Sequence, residues 1–295
     1  TGADDLFIRQ WYEVNNEDIN YQCTNREYFF TNSKWFPINK GGGYRKWYGN
    51  IEQVVDVQNE GYNIVNCKRK INYRLRDTAY YFNEGITWSE ISTGDFSARY
   101  SPNGILFGST GPMCFLKSNK YSIKYILAVL NCKISTELFY ILNPTIHYNV
   151  GCVSNLPIIY KYEYVIDKLV DENIKISKLD WDSFETSYNF TKHPLVRGKF
   201  NILLKDIMYL WQQECDLNFN KIKSNEEELN NIFIEIYELE NKIEASVSDT
   251  NITIRKADRE REIRSLISYA VGCMFGRYSI DAEGLIYAGG EFSDK

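Results

Sequence analysis

Histidine is scarce in this chain, with only His147 and His193 among 295 residues. The seven cysteines, at positions 23, 67, 114, 132, 152, 215 and 273, are odd in number, widely spaced and never arranged as Cys-x-x-Cys. So few nitrogen ligands and no paired thiols argue against a zinc site. A disulfide framework is equally out of place in a chain of this length without a secretory start, which points to a reducing cytoplasm and mostly buried thiols. The longest apolar runs, near Tyr125–Leu130 and Leu138–Leu142, fall far short of the roughly 20 residues a bilayer span needs. A phosphate-binding Gly-x4-Gly-Lys-Ser/Thr loop is missing, because Gly41–Gly43 run directly into Tyr44-Arg45-Lys46. Gly-x-Ser-x-Gly is missing too, and no cysteine can be matched with a histidine and an acid, so nucleophilic hydrolysis has no legible site. The chain opens on Thr1-Gly2-Ala3-Asp4-Asp5 without an initiator Met, as a piece of a longer protein would.

What is present is concentrated charge. The net charge of −5 hides an asymmetry: residues 21–170 hold 17 Lys and Arg against 11 Asp and Glu, and residues 171–295 hold 16 against 23. A front part at +6 and a rear part at −7 imply that only the front faces nucleic acid. Within that front part, residues 34–50 gather Lys34, Asn39, Lys40, Gly41, Gly42, Gly43, Tyr44, Arg45, Lys46, Trp47, Tyr48 and Gly49 around one turn. Consecutive glycines weaken regular structure, so their use lies in positive φ or in letting a ligand approach bare backbone. Cations beside flat aromatic faces suit a nucleic-acid surface. On this reading Arg45 or Lys46 donates to guanine O6/N7 and Asn39 pairs with an adenine edge, while Trp47 braces the loop from behind. A hairpin turn with a solvated basic rim is the structural alternative. A second cluster, Lys68, Arg69, Lys70, Arg74 and Arg76, holds five cations and no acid in nine residues, a density suited to tracking phosphates.

The element pattern predicts an α+β chain. Short apolar or aromatic runs at Tyr28–Phe30, Trp35–Ile38, Ile51–Val57, Tyr80–Phe82, Tyr100, Ile105–Phe107 and Met113–Leu116 read as strands, separated by Asn59-Glu60-Gly61, Asn83-Glu84-Gly85, Thr93-Gly94-Asp95 and Pro102-Asn103-Gly104. Ser122 caps a helical stretch that Pro144 ends, read as a helical hairpin closing a mainly β domain. The rear reads as helical. Ser224-x-x-Glu227 is a capping box ahead of Leu229, Ile232, Phe233, Ile236, Leu239 and Ile243, predicting a helix over about 225–244. A second helix is predicted over 256–275, with Gly276 as its terminator.

Several stretches resemble the PglX-type adenine-specific DNA methyltransferases of BREX phage-defence systems and related restriction–modification methylases. They are Arg9–Val14, the 34–50 turn, Gly85–Ser92, Phe96–Tyr100, Leu142–Thr145 with Val150-Gly151 and Leu156–Ile158, Trp181–Ser187 and Ser265–Tyr278. The resemblance implies a TaqI-like target-recognition domain at 1–165 and a helical C-terminal domain at 166–295. It adds Trp88, Ser89 and Arg99 to the expected DNA-binding surface. It also implies that the parent protein methylates adenine with S-adenosylmethionine, while this chain holds no cofactor and no catalytic residue. That family's glycine-rich cofactor loop and Asn-Pro-Pro-aromatic motif do not occur here, and Asn143-Pro144-Thr145-Ile146 supplies only the first two residues of the latter. Expected partners are double-stranded DNA, the N-terminal methyltransferase domain of the parent, other defence-system proteins and a phage DNA mimic, with no membrane. The alternative role is a protein-interaction module that docks the methyltransferase domain or another defence component through the rear helices.

Overall fold

The computed structural model describes residues 3–24, 33–69, 76–118, 120–143, 145–197 and 202–287. A short helix α1 (Asp4–Phe7) leads into β1 (Ile8–Gln10), followed by β2 (Trp35–Asn39), β3 (Gln53–Asp56) and α2 (Gln58–Val65). Next come β4 (Gly85–Trp88), β5 (Ala98–Ser101), β6 (Leu106–Phe107), β7 (Met113–Cys114), α3 (Ile123–Asn131), α4 (Lys133–Leu142) and α5 (Val150–Ser154). The rear contributes α6 (Glu163–Asp182), α7 (Leu204–Ile236) and α8 (Arg259–Met274). The α+β class holds. Two small sheets form, one in the order β1-β3-β2-β6 with only β2 and β6 parallel, the other an antiparallel β5-β4-β7.

Local chemistry explains most element ends. Ser122 Oγ accepts the backbone N–H groups of Lys124 and Tyr125, the cap its position predicts. Asn59, Glu60 and Gly61 all take positive φ (50°, 58° and 81°), so the predicted turn is a left-handed kink inside α2. Gly276, at φ 76°, follows α8 and its N–H bonds Cys273 O at 3.2 Å. Other expectations change. Residues 78–80 form a 3₁₀ turn in place of a strand, and β1 and β4 stand where no strand was expected. The expected Tyr28–Phe30 strand lies outside the described residues. The chain bends by 66° between α3 and α4 and does not reverse, so there is no antiparallel hairpin. Asn230 of α7 accepts Lys133 N at 2.9 Å and so caps α4 from another element. The Ser224 box is likewise interior to α7, whose apolar face already runs through Trp211, Cys215, Phe219 and Ile222. That helix stops at Ile236, ahead of Glu238 at φ 57°.

One buried cluster joins side chains from both sides of residue 165: Trp47, Ile86, Trp88, Phe96 and most of α3 pack with Ile166, Val170, Leu229 and Phe233. Helix α3 is apolar nearly all round, as a helix enclosed by neighbours must be. Its one buried polar side chain, Asn131, accepts Ala98 N at 2.8 Å and donates to Ala98 O at 3.0 Å, pairing the backbone of β5 as a strand would. Among the described residues no single helix is long and apolar enough to cross a membrane.

A second burial has a consequence for stability. His193, 1% exposed, accepts Leu195 N through Nδ1 at 3.2 Å, and its Nε2 has no hydrogen-bond partner among the described residues. Burial, assisted by the charge of Arg197, pulls its pKa down to about 4. The unfolded chain therefore binds the extra proton first as pH falls, and stability declines between the ordinary 6.5 and about 4. The expected loss is about 3 kcal/mol across that window, read as a falling urea midpoint that a His193→Phe variant does not show.

Candidate nucleic-acid interface

The triple glycine is divided between packing and exposure. Gly41 and Gly42 have φ of 87° and 123°, and a Cβ on Gly41 would lie 2.7 Å from Thr110 O. A Cβ on Gly42 would meet the Asn50 side chain at 2.7 Å, whereas Gly43 faces open space. Ser89 Oγ donates to Gly42 O at 2.8 Å, and Asn50 Nδ2 to Gly43 O at 2.9 Å. These contacts hold the turn as one wall of a cavity of ≈ 390 Å³, which Lys40, Asn50, Glu52 and Gln53 also line. Gly42 and Gly43 are both exposed, but only Gly43 has open space beside its Cα.

The residues just after the glycines turn inward, against expectation. Arg45 is 5% exposed, and its terminal nitrogen lies 2.6 Å from Asp180 Oδ2 and 3.2 Å from Ser177 O, both on α6. Its Nε donates to Tyr48 O at 2.7 Å, and the guanidinium stands 4.9 Å from the Trp181 ring. Gly49 makes this possible, since a Cβ there would fall 2.4 Å from Arg45 Nε. Lys46 is buried as well, with Nζ 2.7 Å from Glu226 Oε2, while Trp47 Nε1 donates to Glu226 Oε1 at 2.8 Å. Burial alone would lower the lysine's pKa, but Glu226 and the Tyr44 hydroxyl outweigh it and hold it above the ordinary value. Neither cation can reach a DNA groove from these positions. The physical reason is charge complementarity inside the protein: α6 and α7 each offer one carboxylate at the point where the turn crosses them.

Other expected contacts are also internal. Asn39, 2% exposed, donates to Ser101 Oγ at 2.8 Å, so its amide is not offered to an adenine. Tyr48 is buried beside Ile51, Ile105 and Trp181. Arg99 is 1% exposed and donates to Arg45 O at 3.5 Å; burial, then the neighbouring Arg45, lowers its pKa to about 10. Ser89 and Trp88 are buried, and Trp88 Nε1 donates to Tyr148 O at 2.7 Å. Trp47 does brace the turn, bridging to β5 through Trp47 N to Ala98 O at 3.0 Å and Tyr100 N to Trp47 O at 2.8 Å. Tyr44 is half-buried in a separate polar cleft with Lys46 and Tyr140.

Among the described residues, Lys40 and Arg69 converge. Lys40 Nζ is 2.7 Å from Asp4 Oδ2, and Arg69 is 3.0 Å from Asp5 Oδ2. Because Asp4 and Asp5 are adjacent on α1, the structure brings the glycine turn and the second basic cluster to one place. Lys68 is exposed beside Arg69, and Lys34 lies over the Trp35 ring at 5.2 Å with Asp56 at 3.7 Å. Arg76 is half-buried and lines a cavity of ≈ 310 Å³ with Gly108 and Ser109. Lys70 and Arg74 lie outside the described residues. Asn143 and Thr145 satisfy one another, Asn143 Nδ2 to Thr145 O at 3.1 Å and Thr145 Oγ1 to Asn143 Oδ1 at 2.9 Å, as in an ordinary turn.

The residues that sequence reading missed are Asp180, Glu226 and their neighbours on α6 and α7. Asn225 donates to both Glu172 Oε2 and Asn173 Oδ1 at 2.9 Å, and Asn230 bridges Lys133 N and Ala245 O. A weak signal existed: Asn225, Glu226 and Asn230 fall on the same helical face as Leu229 and Phe233, where polar residues need a buried partner.

Comparison with known proteins then defines the class to which this body is related. Over nearly its whole length the chain is similar to one segment of adenine-specific methyltransferases. It is 40% identical over 300 residues, 99% of its length, to adenine-specific methyltransferase PglX of Lacticaseibacillus casei (strain Zhang). It is 37% identical over 303 residues, 97% of its length, to adenine-specific methyltransferase BrxX of Escherichia coli O9:H4 (strain HS). The chain spans about a quarter of these relatives, 25% of the first and 24% of the second. No family model matches the sequence.

Proposed function

We propose that this chain is the DNA target-recognition segment of an N6-adenine-specific DNA methyltransferase that serves phage defence or restriction–modification. Methyl transfer and S-adenosylmethionine binding belong to the remainder of the parent, and no residue here is assigned a chemical step. The observation that carries this reading is the similarity of the entire chain to a quarter of two adenine-specific methyltransferases, in a stretch that lacks the cofactor loop and the adenine-holding motif. The surface supports it through the glycine-walled cavity with Lys40, Asn50 and Gln53, and through Arg69 and Lys68 beside it. Asp4 and Asp5 hold two of these cations as a phosphate pair would, and DNA exchanges one set of anions for the other.

The expected result is specific in sign. Lys40→Ala combined with Arg69→Ala weakens binding of all duplexes alike and flattens the dependence of log K on log salt by about 2. Asp4→Asn with Asp5→Asn acts in the opposite direction and tightens binding. Fluorescence anisotropy with a duplex pool at two salt concentrations measures both, and affinity unmoved in either pair of variants removes this surface from the reading. A second reading, docking of the remaining polypeptide or of another defence component, draws support from Leu203 at the N-cap of α7 and Leu210 and Leu217 within it, seven residues apart and 63%, 56% and 70% exposed. Farther along α7, Leu229 and Phe233 are buried in the chain's own core.

A further inference from the structure

The rear part carries a cleft in which three arginines stand among three carboxylates, Glu185, Asp258 and Glu260. A cavity of ≈ 560 Å³ opens between residues 184–186 and the start of α8, with Phe184, Arg255, Arg261, Arg264, Ser265 and Ser268 in its lining. The Phe184 ring has the Arg255 guanidinium 3.9 Å from its centre and that of Arg261 5.5 Å away. Stacking on an aromatic face holds a guanidinium in one orientation while its in-plane N–H donors remain available.

The three arginines differ in what they already hold. Arg261 is committed to buried Glu262 at 2.5 Å and to Lys256 O at 2.8 Å. Arg264 has a pairing with Glu260 in which both side chains are more than 70% exposed, an arrangement that contributes little and is readily exchanged. Arg255 is half-buried, yet among the described residues its guanidinium has neither an ion pair nor a hydrogen-bond acceptor. Burial lowers its pKa, against the pull of Asp180, so the charged form is held in place without a direct partner. Of the carboxylates in the lining, Asp258 accepts Arg261 N as the helix cap, Glu260 pairs with Arg264, and Glu185, whose pKa burial raises, accepts the Ser268 hydroxyl through Oε2.

Arg255 is also fixed next to the glycine turn. Its backbone N–H donates to Asp180 Oδ1 at 3.1 Å, the carboxylate whose other oxygen takes Arg45, and Thr253 Oγ1 accepts Lys46 N at 3.1 Å. Its charge reaches Glu52 in the wall of the glycine cavity, opposing the burial that raises that carboxyl's pKa. The buried clamp at Arg45 thus places an unpaired arginine of the acidic rear part at the edge of the basic front surface.

We infer that the cleft of Phe184, Arg255 and Arg264 is a phosphate-binding subsite that takes a backbone phosphate of duplex DNA and continues the surface around the glycine turn into the helical half. A phosphate oxygen pair matches the guanidinium fork, and Ser265 adds a hydroxyl donor at its margin. The assignment rests on the reading of the chain as a DNA-recognition segment.

Arg255→Gln with Arg264→Gln tests it, measured on the whole chain against a duplex pool at two salt concentrations, with thermal melts to show that the fold is kept. The double variant is expected to weaken all duplexes alike by about tenfold or more and to flatten the salt dependence by about 2, with base preference unchanged. Arg255→Lys, which keeps the charge and loses the stacked fork, recovers only part of the loss. Unaltered affinity and salt dependence in the double variant overturn the subsite and leave the DNA reading standing, whereas failure of the unmodified chain to bind any duplex overturns both. Stabilisation by inorganic phosphate that the double variant loses, without any change in DNA binding, assigns the cleft to a free phosphate and overturns the backbone assignment.

Discussion

Replacing Glu226 by alanine is expected to lower the unfolding free energy by about 3–5 kcal/mol, because it strands a buried ammonium. Glu226 is 4% exposed and accepts both Lys46 Nζ at 2.7 Å and Trp47 Nε1 at 2.8 Å. Its removal leaves one charge and one indole N–H unsatisfied at the centre of the contact between α7 and the glycine turn. Glu226→Gln should fall between, keeping an acceptor for Trp47 and leaving the lysine uncompensated. The combination Lys46→Met with Glu226→Leu should cost much less than the sum of the single changes, since no buried charge remains. Urea midpoints at constant m measure each variant and the two single changes behind the double. The pH dependence has a definite sign. The lysine's pKa is raised above 10.5 in the fold, so the pair's contribution is complete below that value and is lost as pH climbs through the folded one. The wild-type chain should show this alkaline decline and the double variant should not. A loss below about 1 kcal/mol in Glu226→Ala would mean that water reaches the pair.

The second large effect is expected at Arg45. Its side chain joins Asp180, Ser177 O, Tyr48 O and the face of Trp181, so Arg45→Ala leaves a nearly buried carboxylate and two carbonyls without their donor. The expected cost is again about 3–5 kcal/mol. Arg45→Lys should rescue little, because one ammonium cannot span acceptors on both sides of a planar fork. Among molecules that remain folded, base preference in DNA binding should stay as in the wild type. A folded Arg45→Ala chain with altered preference at one base position would show that the side chain leaves its pocket to read DNA.

Both effects concern residues whose types were legible and whose fates were not. Ser122, Gly276 and the kink at Asn59-Glu60-Gly61 could be read directly because a cap or a turn is decided within a few residues. Helix α8 was legible for the same reason, ending one residue from its expected limit. The start of α7 was misread because a capping box is also compatible with a helix interior, and Trp211, Cys215, Phe219 and Ile222 continue the apolar face upstream of it. The strands were only partly legible, since two- to five-residue strands carry too few alternations to stand out.

The candidate surface shows the same division. That residues 34–50 and 68–76 are cationic, and that three consecutive glycines there serve positive φ or close approach to bare backbone, follows from the letters alone. Which cations remain for a ligand does not. Lys40 and Lys46 stand six positions apart with the same side chain, yet one meets an exposed Asp4 and the other a buried Glu226 at a sequence separation of 180.

By itself the sequence determined the α+β class, the kinship with a segment of adenine-specific methyltransferases and the presence of two basic clusters. Only the tertiary structure decided that Arg45 and Lys46 hold the front against α6 and α7, that Lys40 and Arg69 meet on α1, and that the Arg255 guanidinium has no direct ion pair among the described residues. The physical reason is that a charge's role depends on its nearest opposite charge and its access to water, and both are set by contacts between residues far apart in the chain.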